Sequence, residues 1–398
     1  MSLFVRVSNK VLKKRFCRNV HTSWLFFKDN KENNESPLKK MLDEAASFDD
    51  LKSEHQVWAT LPYGETAKIR KQGEYFQKEK KDPRDSTIIL FPGQATQYVG
   101  MGKNLLQFPL VRDLFELASY LLKYDLLKLC LEGPKEKLDE TRYAQPAVFV
   151  SSLAALEKLK EERPDAIDNC VATAGFSLGE ITSLVFAGAI GFEDAIRLIR
   201  IRGEAMQMAG EMQKGSMVRV LYGPDASVGF ACLKAKEWAI EKGDEIPECR
   251  VSNYLYPHSK IIAGSISAIE FLEKNAKEFK LKKVSRLAVS GAFHSDLMAP
   301  ALQPVRKILS KINIEDPVIN VYSNVDGKRY RNADHIRKQL PKQIIKPVKW
   351  EQTMHVLYER DQGEYFPRTF ECGPGSSLKT ILKQVNAKAW DHCVSIEA

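Results

Sequence analysis

No stretch of this chain approaches the roughly 20 consecutive apolar residues that a membrane-spanning helix needs, and no segment repeats another. Cysteine is sparse and odd in number, seven in 398 residues, with no two in a C-x-x-C pair. That pattern argues against a disulfide framework and against a zinc site, and it fits a reducing compartment. Acidic residues are missing altogether from residues 1–28, which carry seven basic ones: Arg6, Lys10, Lys13, Lys14, Arg15, Arg18 and Lys28. Subtracting those 7 charges from the net +9 leaves +2 for residues 29–398. The basic balance is therefore a property of the N-terminus and gives nucleic-acid binding little support.

What is present is globular: 44% hydrophobic and 28% charged residues, at a length that suits about two or three folding units. Residues 1–28 mix their basic residues with Leu3, Phe4, Val5, Val7, Val11, Leu12 and Phe16. Lysines break up any continuous apolar core, so the segment reads as a mitochondrial presequence rather than a secretory signal. Residues 29–86 are polar, of mixed charge and without a periodic apolar face, which predicts a linker.

From Thr87 the texture changes. Ile88-Ile89-Leu90-Phe91 is a continuous apolar run of the kind found in a strand buried on both faces. Strand-like runs then alternate with helical patterns around 110–122, 124–131 and 193–208, and Gln145-Pro146 is placed to open another helix with proline at its first position. Alternation of this kind predicts an α/β fold with a parallel-sheet core, resembling that of an α/β-hydrolase. Within residues 214–287 the order of elements is instead β-α-β-β-α-β, which predicts an inserted ferredoxin-like subdomain. The expected organisation is thus a large α/β subdomain from 87–213 and 288–398, interrupted by a small one at 214–287.

The most chemically suggestive stretch is Gly175-Phe176-Ser177-Leu178-Gly179-Glu180, which follows the apolar run Cys170–Ala174 and precedes a helical pattern. A strand, a tight glycine turn bearing one serine and then a helix form the context in which G-x-S-x-G marks a nucleophile. The bland alternative is an N-capping serine. On the helix at 193–208, Ala195, Ile196, Ile199, Gly203 and Met206 share one face, and Arg202 falls at its edge. A guanidinium turned inward requires a partner, either a structural one or an acidic ligand.

Four stretches in order are Phe91-Pro92-Gly93-Gln94-Ala95-Thr96-Gln97, Gly175 to Glu180, Gly291-Ala292-Phe293-His294-Ser295 and Glu371-Cys372-Gly373-Pro374-Gly375. Together they resemble the malonyl-CoA:acyl-carrier-protein transacylase family over about residues 87–386, and the presequence suits its mitochondrial member. The resemblance implies transfer of malonyl from malonyl-CoA to the phosphopantetheine thiol of holo acyl carrier protein in the mitochondrial matrix. Ser177 is then the nucleophile and His294 its acid and base. The backbone N–H groups of Leu178 and Gln94 form the oxyanion site, and Arg202 takes the malonyl carboxylate. Asn253 and Phe293 line the substrate cleft, and the Lys349 carbonyl orients the histidine. No metal, cofactor, nucleic acid or membrane span is implied, the CoA thioester being a substrate, and a monomer is expected.

Two departures from the family pattern stand out. Ala95-Thr96 replaces the usual Gly-Ser, so a position needing positive φ would strain an alanine. Phe176 stands where histidine is commoner. Two other classes compete with the transferase reading: an α/β-hydrolase, which would need an Asp or Glu between Ser177 and a C-terminal histidine, and a non-catalytic scaffold.

Overall fold

The computed structural model describes residues 82–360 and 363–398. The expected presequence at 1–28, and the linker at 29–86 up to residue 81, lie outside the described residues. The strands are β1 (Thr87–Phe91), β2 (Cys170–Gly175), β3 (Gly215–Tyr222), β4 (Cys249–Tyr256), β5 (Ser259–Ser265), β6 (Leu281–Arg286), β7 (Asn320–Tyr322), β8 (Val348–Lys349), β9 (Arg368–Gly373) and β10 (Cys393–Glu397).

They form two five-stranded sheets. The first runs β10-β9-β1-β2-β7 with every pairing parallel. Its central strand β1 is buried along its whole length. Side chains alternate between the two faces of a strand, and here both faces are covered. Ile89 and Phe91 join the larger apolar core, with Phe149, Phe186 and Phe192, while Ile88 and Leu90 join a second cluster with Trp350, Met354 and Leu378. A strand coated on both sides has no polar alternation, which is why it reads as an unbroken apolar run.

The second sheet runs β6-β3-β5-β4-β8. Its first four strands pair antiparallel in the order 4-1-3-2 of their own sequence, the ferredoxin-like arrangement. The helices Val228–Glu241 and Ile266–Lys274 pack their apolar sides on it through Ala231, Ala235, Ile269 and Leu272. The fifth strand was not expected. β8 comes from beyond the 214–287 segment and pairs parallel with β4, Asn253 opposite Val348 and Tyr254 opposite Lys349.

One helix boundary differs from expectation. Pro146 lies inside the 22-residue helix Thr141–Glu162 instead of opening it. Proline lacks the N–H that would bond back to residue 142, yet tertiary packing overrides this: nearly every residue from Ala144 to Leu156 is buried. The earlier start places Gln145 within the helix, and its side chain faces the long helix Phe192–Met212 that carries Arg202.

Candidate active site

The elbow is dictated by close approach. A Cβ at Gly175 would sit 1.8 Å from the Gly179 carbonyl carbon, and one at Gly179 would sit 2.2 Å from the Phe91 carbonyl oxygen. Only glycine lets the strand end, the turn and the helix Leu178–Phe186 lie this close to one another and to β1. Phe176 N–H donates to Phe91 O at 2.9 Å, and its ring packs edge-on against Trp350 at 5.4 Å. The departure from histidine at this position thus gives an apolar contact below the nucleophile.

Ser177 itself takes φ 51°, ψ −102°, a conformation that costs a non-glycine residue about 1–3 kcal/mol and that the surroundings must enforce. Asn324 does much of this, accepting from Ser177 N–H at 2.6 Å and donating to Gly175 O at 2.8 Å. The Ser177 hydroxyl makes no capping bond to its helix. It lies 2.8 Å from His294 Nε2 instead. The capping alternative is thereby displaced. Leu178 is the first residue of the helix, so its N–H has no intrahelical acceptor.

His294 is buried, also with positive φ (60°). Its Nδ1–H donates to the Gln343 carbonyl at 2.6 Å. A carbonyl can only accept, so the proton sits on Nδ1 and leaves Nε2 free to accept from the serine hydroxyl. Burial pushes the imidazole pKa down to about 4, against the Gln343 bond, which raises it, and with the Arg202 charge, which lowers it further. The imidazole is therefore neutral near pH 7.

The orienting carbonyl is thus Gln343, not Lys349, and that expectation is corrected. Lys349 belongs to β8 on the edge of the small sheet; its N–H donates to Asn324 O and its carbonyl accepts from Thr353 Oγ1. The chain reaches His294 six residues earlier, in the 3-10 helix Leu340–Ile344.

Arg202 is buried and makes three side-chain hydrogen bonds. It donates to Gln145 Oε1 at 2.7 Å, to Gln343 Oε1 at 2.8 Å and to Ser177 Oγ at 3.1 Å. Burial pulls its pKa down to about 10, and nearby Glu180 opposes this, so it stays cationic. Glu180, wholly buried beneath the elbow, accepts from Gln343 Nε2 and from Tyr330 Oη. Burial raises its carboxyl to about 7, while hydrogen bonds from Tyr330, Gln343 and the Asn324 backbone and the Arg202 charge pull the other way. Gln343 Nε2 also donates to Ser177 O at 2.8 Å. Pattern reading missed Gln343, Asn324, Gln145 and Tyr330; of these only Gln145 carried a signal, a polar residue leading into the apolar run Ala147–Val150.

The remaining candidates are placed less centrally. Gln94 lies in the loop after β1, its side chain donating to Thr141 Oγ1 at 3.0 Å. Phe293 is buried in the larger core. Asn253 is buried on β4 and accepts from Ser252 Oγ at 2.7 Å, so its hydrogen bonding is local to the small sheet rather than to the Ser177 cluster. Among the described residues no group of three or more His, Cys, Asp or Glu side chains could hold a metal ion, and no helix is long and apolar enough to cross a membrane.

The chain as a whole is similar in sequence and fold to known proteins. The acyl transferase domain family matches residues 88–364. The human mitochondrial malonyl-CoA–acyl carrier protein transacylase is 50% identical over 319 residues, 80% of this chain and 82% of that one. The crystal structure of an acyl carrier protein S-malonyltransferase from Vibrio cholerae superposes with TM-score 0.70 at 31% identity, covering 78% of this chain and 97% of that one. A malonyl-transacylase in complex with its type II polyketide-synthase acyl carrier protein gives 0.69 at 33%, covering 79% and 96%. By sequence, fold and match length, this chain belongs to the malonyl-CoA–acyl carrier protein transacylase family of acyltransferases.

Proposed function

We propose that this protein is a malonyl-CoA:acyl-carrier-protein S-malonyltransferase that works through a malonyl ester on Ser177. The observation that carries the reading is the buried Arg202 guanidinium 3.1 Å from Ser177 Oγ, which itself lies 2.8 Å from His294 Nε2. A nucleophile beside a fixed buried cation suits an acyl group that ends in a carboxylate.

In the first half-reaction Ser177 Oγ attacks the thioester carbonyl and its proton passes to His294 Nε2. The tetrahedral oxyanion is held by the Leu178 and Gln94 N–H groups. Collapse breaks the C–S bond, and His294 returns the proton to the departing CoA thiolate. In the second half the carrier thiol gives its proton to His294 and attacks the ester carbonyl, and Ser177 leaves reprotonated. Throughout, the Gln343 carbonyl keeps the imidazole in the tautomer that can accept at Nε2, the part an aspartate plays in other triads. Arg202 pairs with the malonyl carboxylate and so selects malonyl over acetyl, while Phe293 and Asn253 line the rest of the cleft. No cofactor enters this chemistry.

The partner is an acidic phosphopantetheine-bearing carrier protein, the protein acts as a monomer, and its place is the mitochondrial matrix, where it serves fatty-acid synthesis. The deciding experiment is incubation with malonyl-CoA followed by intact-protein and peptide mass spectrometry, then addition of holo carrier. A malonyl adduct on Ser177 that moves to the carrier is expected. Rapid CoA release without carrier and with no trapped adduct would indicate a hydrolase and overturn the reading.

A further inference from the structure

The loop after β1 contains an alanine in a conformation that belongs to glycine. Ala95 has φ 81°, and it directly follows Gln94. An L-residue in the left-handed region is disfavoured by about 1–2 kcal/mol, so something must hold it there. That something is the side chain two residues on. Ala95 N–H donates to Gln97 Oε1 at 2.8 Å, and Gln97 Nε2 donates in turn to Asp139 Oδ1 at 2.9 Å. Asp139 uses its other oxygen to bind Lys135 Nζ. Thr96 Oγ1 donates to Gly93 O at 2.8 Å, closing the turn from the other side.

Gln94 is anchored separately. Its side chain donates to Thr141 Oγ1, which is 2.9 Å from Ser290 Oγ, four residues before His294. The peptide around Gln94 is thus gripped at two points, one shared with the segment leading to the histidine and one at Ala95.

From this geometry we infer that Gln97 is a positioning residue: with Asp139 as its anchor, it clasps Ala95 in the left-handed conformation and so aims the Gln94 N–H at the oxyanion. The inference rests on the reading of Gln94 as an oxyanion donor. It accounts for how this chain carries Ala-Thr where a glycine would need no such support: the strain a methyl group introduces is opposed by a hydrogen-bonded side chain.

The test measures the single-turnover rate of Ser177 acylation by malonyl-CoA, with melting temperature in parallel. Gln97→Ala should lower the acylation rate about tenfold, the scale of the left-handed penalty it releases, and leave the KM for malonyl-CoA nearly unchanged. Ala95→Gly alone should be close to wild type, and the double variant Gln97→Ala with Ala95→Gly should recover most of the lost rate, because glycine needs no clasp. A purely structural role for Gln97 would lower the melting temperature without selective rescue by glycine. A wild-type acylation rate in Gln97→Ala, or no rescue in the double variant, overturns the clasp. A separate arm replaces the Gln94 amide by an ester, which deletes the N–H and keeps the side chain; a loss of about 10²–10³ is expected. If the ester variant keeps its rate, the oxyanion reading of Gln94 fails and the clasp falls with it. If the ester variant slows while Gln97→Ala does not, only the clasp fails.

Discussion

The Gln343 backbone carbonyl lies 2.6 Å from His294 Nδ1, and the side chain of the same residue accepts from Arg202 at 2.8 Å and donates to Ser177 O and Glu180. One residue therefore orients the base with its backbone and braces the arginine and the elbow with its amide. The two functions separate by mutation. Gln343→Ala keeps the carbonyl on His294 but strips the buried Arg202 and Glu180 side chains of one hydrogen-bond partner each. Leaving a buried polar group unpaired costs about 1–3 kcal/mol, so the melting temperature should fall, and malonyl loading should weaken more than acetyl loading. Calorimetry and acylation rates with both thioesters check this; an unchanged malonyl-to-acetyl ratio would show that the amide does not serve Arg202.

Arg202→Ala removes the cation beside Ser177 altogether. The charge-assisted contact it offers a carboxylate is worth about 1.5–3 kcal/mol, so kcat/KM for malonyl-CoA should drop roughly 10- to 100-fold while activity with acetyl-CoA rises relative to it. Competition between the two thioesters for Ser177 reads the ratio directly.

The pH dependence follows from the depressed imidazole. His294 works as a base only when neutral, and its pKa in the free protein is about 4. The acidic limb of kcat/KM for malonyl-CoA should therefore fall near pH 4, not near the roughly 6.5 of an exposed histidine. Arg202 is one of the groups holding that value down. Once a malonyl carboxylate neutralises it, the imidazole becomes more basic, so the limb in the acylation rate at saturating malonyl-CoA should lie higher than the limb in kcat/KM. With acetyl-CoA the two limbs should coincide. A limb near 6.5 in both profiles would mean that burial does not set the base.

Glycine at the elbow is a steric demand. Gly175→Ala places a methyl 1.8 Å from backbone of the same turn, which no rotamer relieves. Loss of several kcal/mol is expected, at the large end for single substitutions, seen as failure to fold or a large drop in melting temperature. Phe176→His, whose side chain packs edge-on against the Trp350 ring, should retain the fold and a Ser177–malonyl adduct.

The parts of this protein that were legible in the sequence are those whose cause lies within a few residues. The elbow needs Gly175 because strand end and helix start cross within five positions, whereas Gly179 answers to the Phe91 carbonyl at the end of β1. Strand β1 reads as an apolar run because both its faces are covered, and the ferredoxin-like order follows from element succession alone. The pairing of Ser177 with His294, 117 positions apart, was reached through motif order and not through any local rule. Only the tertiary structure decided which carbonyl meets the histidine. Every residue carries one, so a carbonyl leaves no side-chain signature, and the choice between Gln343 and Lys349 turned on a short 3-10 helix and on an edge strand that carries Lys349 away to the small sheet. The same holds for Asn324 and Tyr330, polar residues whose meaning appears only when distant segments bring them against the back of the elbow, where burial turns an ordinary hydrogen bond into a constraint on the nucleophile.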